Sequence, residues 1–265
     1  MNKVEAVVFD WAGTTIDYGC FAPLEVFLEI FRKQGVEITV DEARGPMGML
    51  KIEHIRALLN QTRIRTEWER VKGSEPTEAD VHALNDAFEE NLFETLPHFT
   101  TPIPGVIELV ASLRNKGIKI GATTGYTKAM MDIVAPQAAE QGYAPDCYFT
   151  ADDVKAGRPY PWMCYRNAEA LGVYPMDKMM KVGDTATDMK EGKNAGMITV
   201  GVVFGSSELG LSEEEVQALT ISEKEAAISK VTKRLMEAGA DYVITSIGEL
   251  ERVIEQVQIK QSIQK

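Results

Sequence analysis

An α/β fold with a parallel sheet and an inserted all-helical domain is predicted by three observations. Short β-branched runs recur at residues 4–9, 118–123, 179–182, 198–203 and 242–244, with amphipathic helical patterns between them, the alternation expected of βαβ units. The stretch 21–97 breaks that alternation and offers helical patterns without convincing strands. Proline-bearing segments, Phe21-Ala-Pro23 and Thr100-Thr-Pro-Ile-Pro104, flank it where the chain would leave and re-enter the sheet. The expected architecture is a Rossmann-like parallel sheet core domain of residues 1–20 and 99–265, with an all-helical domain of residues 21–98 inserted after the first strand. A cleft between the two would follow.

Taken in order, the first strand ends in Val7-Val8-Phe9-Asp10 and runs into a small-residue turn, Trp11-Ala-Gly-Thr-Thr15. Inside the insertion, Thr39 with Glu42 has capping-box spacing, and Thr77 with Asp80, after Pro76, is a near relative of it. Ile52, Ile55, Leu58 and Leu59 share one helical face, with Lys51 and His54 on a neighbouring face. The strand at 118–123 delivers Thr124-Gly-Tyr-Thr127 to a helix start, and a short strand at 147–150 leads to the stiff loop Ala156-Gly-Arg-Pro-Tyr-Pro161 before a helix near Trp162. The strand at 179–182 delivers Gly183-Asp-Thr-Ala-Thr-Asp188 as the next helix begins. Ser212 with Glu215 and Ser222 with Glu225 mark two further helix starts.

Composition narrows the functional classes. The 265 residues are 45% hydrophobic and 26% charged, ordinary for a globular protein with a large core. Forty acidic against 28 basic residues give a net charge of −12, which disfavours a nucleic-acid partner. Cys20, Cys147 and Cys164 are odd in number and lack C-x-x-C spacing, so neither a disulfide framework nor a zinc site is expected. The opening MNKVEAVVFD does not read as a signal peptide, and no stretch approaches the roughly 18 apolar residues of a membrane span. A cytoplasmic location without membrane attachment is expected.

Candidate chemistry collects at the carboxyl ends of the strands, where open α/β sheets bind ligands. An isolated strand-end aspartate serves equally well as an Asx cap, but Asp10 has company. Thr124 and Gly125 offer a hydroxyl and an amide at a helix N-terminus, suited to an anion. Asp184 and Asp188, with Asp10, make the oxygen-rich set that Mg²⁺ prefers, although each alone reads as an N-cap. Arg158, on its rigid loop, is a candidate phosphate clamp.

In chain order, the strand-end Asp10, the strand-end Thr124, the basic Arg158 and the acidic pair Asp184 and Asp188 resemble the haloacid dehalogenase superfamily. The resemblance implies that Asp10 attacks phosphorus. It also implies that Mg²⁺ is held by Asp10, the Ala12 carbonyl and Asp184, with Asp188 supporting it. Thr124 and Arg158 would bind phosphate oxygens, and the helical insertion would be the superfamily's cap domain. One departure is informative, since ester-cleaving members carry a proton-donating Asp where this chain has Ala12, and general acid catalysis is worth about 10²–10⁴-fold. The leaving group therefore needs another form of activation. The longer pattern D-W-A-G-T-T-x-D-Y-G-C-F-A-P, P-M-G-x-x-K-I-x-H, T-T-G-Y, G-R-P-Y-P-W-M and V-G-D-T closely resembles the phosphonatase family, the phosphonoacetaldehyde hydrolases. That resemblance implies a Schiff base at Lys51 as the electron sink for P–C cleavage, with His54 assisting proton transfer. It further implies that Met47, Cys20 and Tyr126 shape the aldehyde site and that a homodimer forms through the cap. The competing readings are a phosphatase or phosphomutase of the same superfamily and a non-catalytic binding protein on the inherited fold.

Overall fold

The computed structural model describes residues 4–46 and 51–263. The chain divides into two compact units, one of Met1–Cys20 with Thr100–Lys265 and one of Phe21–Phe99.

The first unit is built on six parallel strands: β1 (Ala6–Phe9), β2 (Lys119–Thr123), β3 (Cys147–Phe149), β4 (Met179–Gly183), β5 (Ile198–Val202) and β6 (Tyr242–Ile244). Their spatial order is β3-β2-β1-β4-β5-β6. Every residue of β1 is fully buried, as a central strand covered on both faces requires, which is why it reads as a continuous apolar run. The sheet is α/β and doubly wound. With the right-handed crossovers that parallel strands follow, this strand order assigns α6 (Val106–Asn115) and α7 (Lys128–Glu140) to one face and α8 (Trp162–Leu171), α9 (Ala186–Ala195) and α11 (Ile221–Glu237) to the other. Strand order reverses beside β1, so the crevice at its carboxyl end is the switch point where such sheets bind ligands. Register carries the site residues there: Phe9 pairs with Ala122 on one side and Val182 on the other.

A short α10 (Glu213–Ala218) and a terminal α12 (Leu250–Ile263) complete this unit. The box at Ser212 and Glu215 caps α10 as expected. The second expected start is displaced, because Thr220 and Glu223 form the box that caps α11. The two boxes overlap in sequence, and the earlier one lets the helix gain two more residues of backbone pairing. Among the described residues no helix is long and apolar enough to cross a membrane.

The second unit is wholly helical among its described residues: α1 (Phe21–Lys33), α2 (Val40–Arg44), α3 (Lys51–Asn60), α4 (Thr62–Lys72), α5 (Glu78–Thr95) and a final turn of 3₁₀ helix. Thr39 with Glu42 and Thr77 with Asp80 cap α2 and α5 by reciprocal boxes, each satisfying orphan amides at a helix start. Its core joins Phe27, Ile30 and Phe31 of α1 to Ile55, Leu58 and Leu59 of α3, Trp68 of α4, and Leu84, Phe88 and Leu92 of α5.

Candidate active site

β1 ends one residue before Asp10, whose amide still donates to the Val182 carbonyl at 2.8 Å and so continues the ladder past the strand. The turn that follows closes on itself, with the amides of Thr14 and Thr15 both donating to the Trp11 carbonyl at 3.1 and 2.8 Å. Gly13 adopts φ +83°, and a Cβ there would lie 2.6 Å from Asp184 Oδ2, so only glycine admits this approach of backbone to carboxylate. The turn also aims the Thr14 hydroxyl at Asp184 Oδ1, 3.1 Å away.

Asp10, Asp184 and Asp188 converge, each buried, with one carboxylate oxygen of each within 4.8 Å of the others. Asp184, just past β4, accepts from the Ser207 amide at 2.8 Å and hydroxyl at 2.7 Å. Burial, and then the charges of Asp10 and Asp188, hold its carboxyl well above the usual carboxylate range. Asp188 lies in the first turn of α9, where Thr185 donates to its Oδ2 through both amide and hydroxyl. Burial pushes its carboxyl up, but Arg158 and Lys181 outweigh that and hold it at about 2. Both capping readings of the sequence thus resolve: Thr185, not an aspartate, occupies the N-cap, and Asp188 reciprocates from the third position while one oxygen faces the site.

Arg158 is nearly buried and uses all three of its nitrogens. Nη2 donates to Asp10 Oδ1 at 2.6 Å and to the Thr123 carbonyl and hydroxyl at 2.8 Å each. Nη1 pairs with Asp188 Oδ1 at 3.0 Å, and Nε donates to Glu191 Oε2 at 3.1 Å. Burial disfavours the guanidinium charge, yet Asp10, Asp188 and Glu191 together keep it well above its ordinary range. Lys181, fully buried on β4, lies 2.9 Å from Asp188 Oδ1 and donates to the Thr123 hydroxyl at 3.0 Å.

Neither Lys181 nor Glu191 stood out in the sequence. A lysine inside the run Met-Met-Lys-Val-Gly gives no alternation to flag it, because a central parallel strand is buried on both faces. Gly192 is the available signal. A Cβ there would lie 2.7 Å from the Lys181 Cβ, so this helix glycine makes room for the buried lysine.

The donor set fits a hard divalent cation, which takes oxygen ligands. Among the described residues, Asp10, Asp184, Asp188 and Glu191 are buried acids at the site and meet two cations, Arg158 and Lys181. The acids outnumber the cations, an excess that a divalent ion would offset.

Around this cluster, Thr124 is buried directly after β2, and its hydroxyl accepts from the Tyr126 amide at 3.0 Å. Gly125 is exposed, with open space where a side chain would be. Burial, and then the neighbouring Cys20, Asp17, Asp10 and Asp184, push the Tyr126 hydroxyl well above the usual phenol range. Cys20 and Asp17 both adopt positive φ, 55° and 53°, a conformation side chains rarely take outside sites that require it. Ala12 is half-buried. Trp11 packs as a core residue, edge-on to Tyr143 and Tyr148, whereas Trp162 is largely exposed and meets Tyr165 edge-on.

Lys51 and His54 belong to the helical unit, and Met47 lies outside the described residues. Lys51 is exposed at the start of α3, its Nζ 5.7 Å from the Phe27 ring centroid and 5.5 Å from that of Phe88. His54 is buried, not turned to solvent. It stacks on Phe27 at 3.9 Å, and its Nε2 lies 2.8 Å from the Ala43 carbonyl. A carbonyl only accepts, so Nε2 carries the proton and the lone pair is on Nδ1. Burial, with a smaller contribution from Lys51, lowers His54 to about 4.

The family model for haloacid dehalogenase-like hydrolases matches residues 4–196. A phosphonoacetaldehyde hydrolase of Bacillus cereus (strain G9842) is 62% identical over 261 residues, covering 98% of this chain and 99% of its own. The chain belongs to the phosphonoacetaldehyde hydrolase family of haloacid dehalogenase-like hydrolases. The family's similarity extends to the phosphonoacetaldehyde hydrolase of Bacillus cytotoxicus, 61% identical over the same share of both chains. It extends also to the crystal structure of a phosphonoacetaldehyde hydrolase-like protein from Oleispira antarctica. That structure has a TM-score of 0.84 and 42% identity, covering 96% of this chain and 92% of that one.

Proposed function

We propose that this chain hydrolyses the carbon–phosphorus bond of phosphonoacetaldehyde to acetaldehyde and phosphate, using Mg²⁺, a Lys51 Schiff base and an Asp10 aspartyl-phosphate. One observation carries the reading. The cluster at the end of β1 has a buried nucleophile, a paired arginine and a metal-ready acid set, yet residue 12 is alanine and offers no proton to a leaving group.

A P–C bond broken heterolytically leaves a carbanion, which needs an electron sink more than a proton donor. The Lys51 amine condenses with the aldehyde, releasing water and leaving a protonated imine. Asp10 then attacks phosphorus, and the P–C electron pair moves into the iminium to give a neutral enamine. Water hydrolyses the aspartyl phosphate; protonation of the enamine carbon and hydrolysis of the resulting imine return acetaldehyde and Lys51. Neutral His54, with its Nδ1 lone pair, serves the proton transfers around Lys51. Arg158, Thr124 and the Gly125 amide hold the phosphoryl oxygens, and Tyr126, Cys20 and Met47 shape the small aldehyde site. Asp10, the Ala12 carbonyl, Asp184 and Asp188 would hold Mg²⁺, which when bound offsets charge on the transferring group.

The helical unit is read as the cap domain, through which two copies pair, and the enzyme as cytoplasmic. The test is product analysis. Incubation with phosphonoacetaldehyde and Mg²⁺ is expected to release acetaldehyde and phosphate in equal amounts, and chelation of the metal to stop it. Faster turnover of several phosphate esters than of the phosphonate would favour a phosphatase instead.

A further inference from the structure

We infer that Glu191, charge-balanced by Lys181 and oriented by Thr123, is the positioning residue that sets the Arg158 guanidinium against Asp10. This rests on the reading of Arg158 as the phosphoryl clamp.

Arg158 can keep only some of its anchors during the reaction. Its Nη2 contact is with Asp10 Oδ1, an atom of the carboxylate proposed to take the phosphoryl group. Its Nη1 contact is with Asp188, which is proposed to support the metal. Glu191 Oε2, at 3.1 Å from Nε, is a side-chain anchor that the chemistry does not consume. Held at Nε and at the Thr123 carbonyl, the guanidinium plane is fixed while its Nη atoms remain available to the reacting group. A fixed planar fork is what distinguishes arginine from a mobile point charge in phosphoryl recognition.

Glu191 is itself prepared for this. It lies three residues after Asp188 on α9, so both face the strand ends from one side of the helix. The Thr123 hydroxyl donates to Glu191 Oε2 at 3.0 Å while accepting from Arg158 Nη2 at 2.8 Å and Lys181 Nζ at 3.0 Å. That uses its one proton and both lone pairs. Lys181 Nζ lies 3.5 Å from the same Glu191 oxygen. Without Lys181, the buried carboxylate would take Arg158 as its sole counter-ion. With it, Arg158 keeps its charge for Asp10 and the phosphoryl group.

The test compares Glu191→Asp, Glu191→Gln and the paired Lys181→Met/Glu191→Gln. Calorimetric titration with inorganic phosphate in the presence of Mg²⁺ is combined with a separate Mg²⁺ titration and a thermal melt. The folded single Glu191 variants are expected to bind phosphate about 10- to 100-fold more weakly, a loss of the size known for partners that orient metal ligands, with Mg²⁺ affinity essentially unchanged; the paired variant, which also strips Asp188 of its Lys181 partner, is read by its phosphate affinity alone. Unaltered phosphate affinity overturns the inference. So does a parallel loss of phosphate and Mg²⁺ binding, or failure of all three variants to fold, since each makes Glu191 a residue of general integrity. Phosphate binding is independent of P–C cleavage, so absence of acetaldehyde release by the unaltered protein would defeat the proposed reaction and leave this result standing.

Discussion

Asp10 and Lys51 are both prospective nucleophiles, and the protein surrounds them in opposite ways. Asp10 is wired into charge: Arg158 donates to it, Asp184 and Asp188 crowd it, and Lys181 and Glu191 stand behind. Lys51 is set over two aromatic rings with a neutral histidine three residues on. The difference follows from what each must carry. An aspartate that accepts a phosphoryl group has to work within a large and changing negative charge, so its surroundings are cations and metal-ready oxygens. A lysine that passes between ammonium, imine and enamine holds one charge or none, and ring faces tolerate both states.

If the two regions divide the chemistry this way, each should fail alone. Asp10→Asn and Lys51→Arg are each expected to reduce acetaldehyde release by at least about 10⁴-fold, the scale on which a lost nucleophile is felt. Asp10→Asn should still form an imine with substrate, and Lys51→Arg should still bind Mg²⁺ by calorimetry. Loss of metal binding in Lys51→Arg would break the comparison.

A smaller effect concerns His54. Its folded value of about 4 lies below the ordinary 6.5, so between those pH values the unfolded chain binds the proton more readily and stability falls as the solution is acidified. The contribution is at most about 3 kcal/mol at 1.36 kcal/mol per unit. Urea unfolding at pH 6.5 and pH 4 should show a shallower acid loss for His54→Phe than for the unaltered protein. An identical slope would mean that His54 is not buried neutral.

The smallest effect sharpens the aromatic side. Phe88→Leu removes one ring face from Lys51, and such contacts are worth about 0.5–2 kcal/mol. The rate of borohydride-trapped imine formation should change several-fold, whereas Phe88→Tyr, which keeps the ring, should leave it near its original value.

Much of this was legible in the sequence because local chemistry and the fold agree. The five β-branched runs and the short strand at 147–150 became the six strands, and the boxes at Thr39, Thr77 and Ser212 became helix caps because their donors and acceptors lie within four residues of each other. The convergence of Asp10, Asp184 and Asp188 followed from strand ends sharing one edge of a parallel sheet. What escaped was the support. Lys181, Glu191 and Thr123 meet only after β2, β4 and α9 assemble, and no short-range spacing ties them together. The burial of His54 has a sequence signal: it precedes Leu58 by four residues and shares its buried side of α3, whereas the spacing of three from Lys51 grouped it instead with that residue on a neighbouring face. At Thr220 and Ser222, two adequate caps overlapped, and only helix length chose between them.

In the proposed reaction, Lys51 prepares the leaving group that Asp10's attack expels. Borohydride reduction in the presence of phosphonoacetaldehyde, followed by peptide mass spectrometry, measures it most directly. The expected result is irreversible loss of activity, a reduced two-carbon adduct on Lys51, and no adduct in Lys51→Arg. An enzyme that turns over the phosphonate at full rate after borohydride treatment, with Lys51 unmodified, would contradict it.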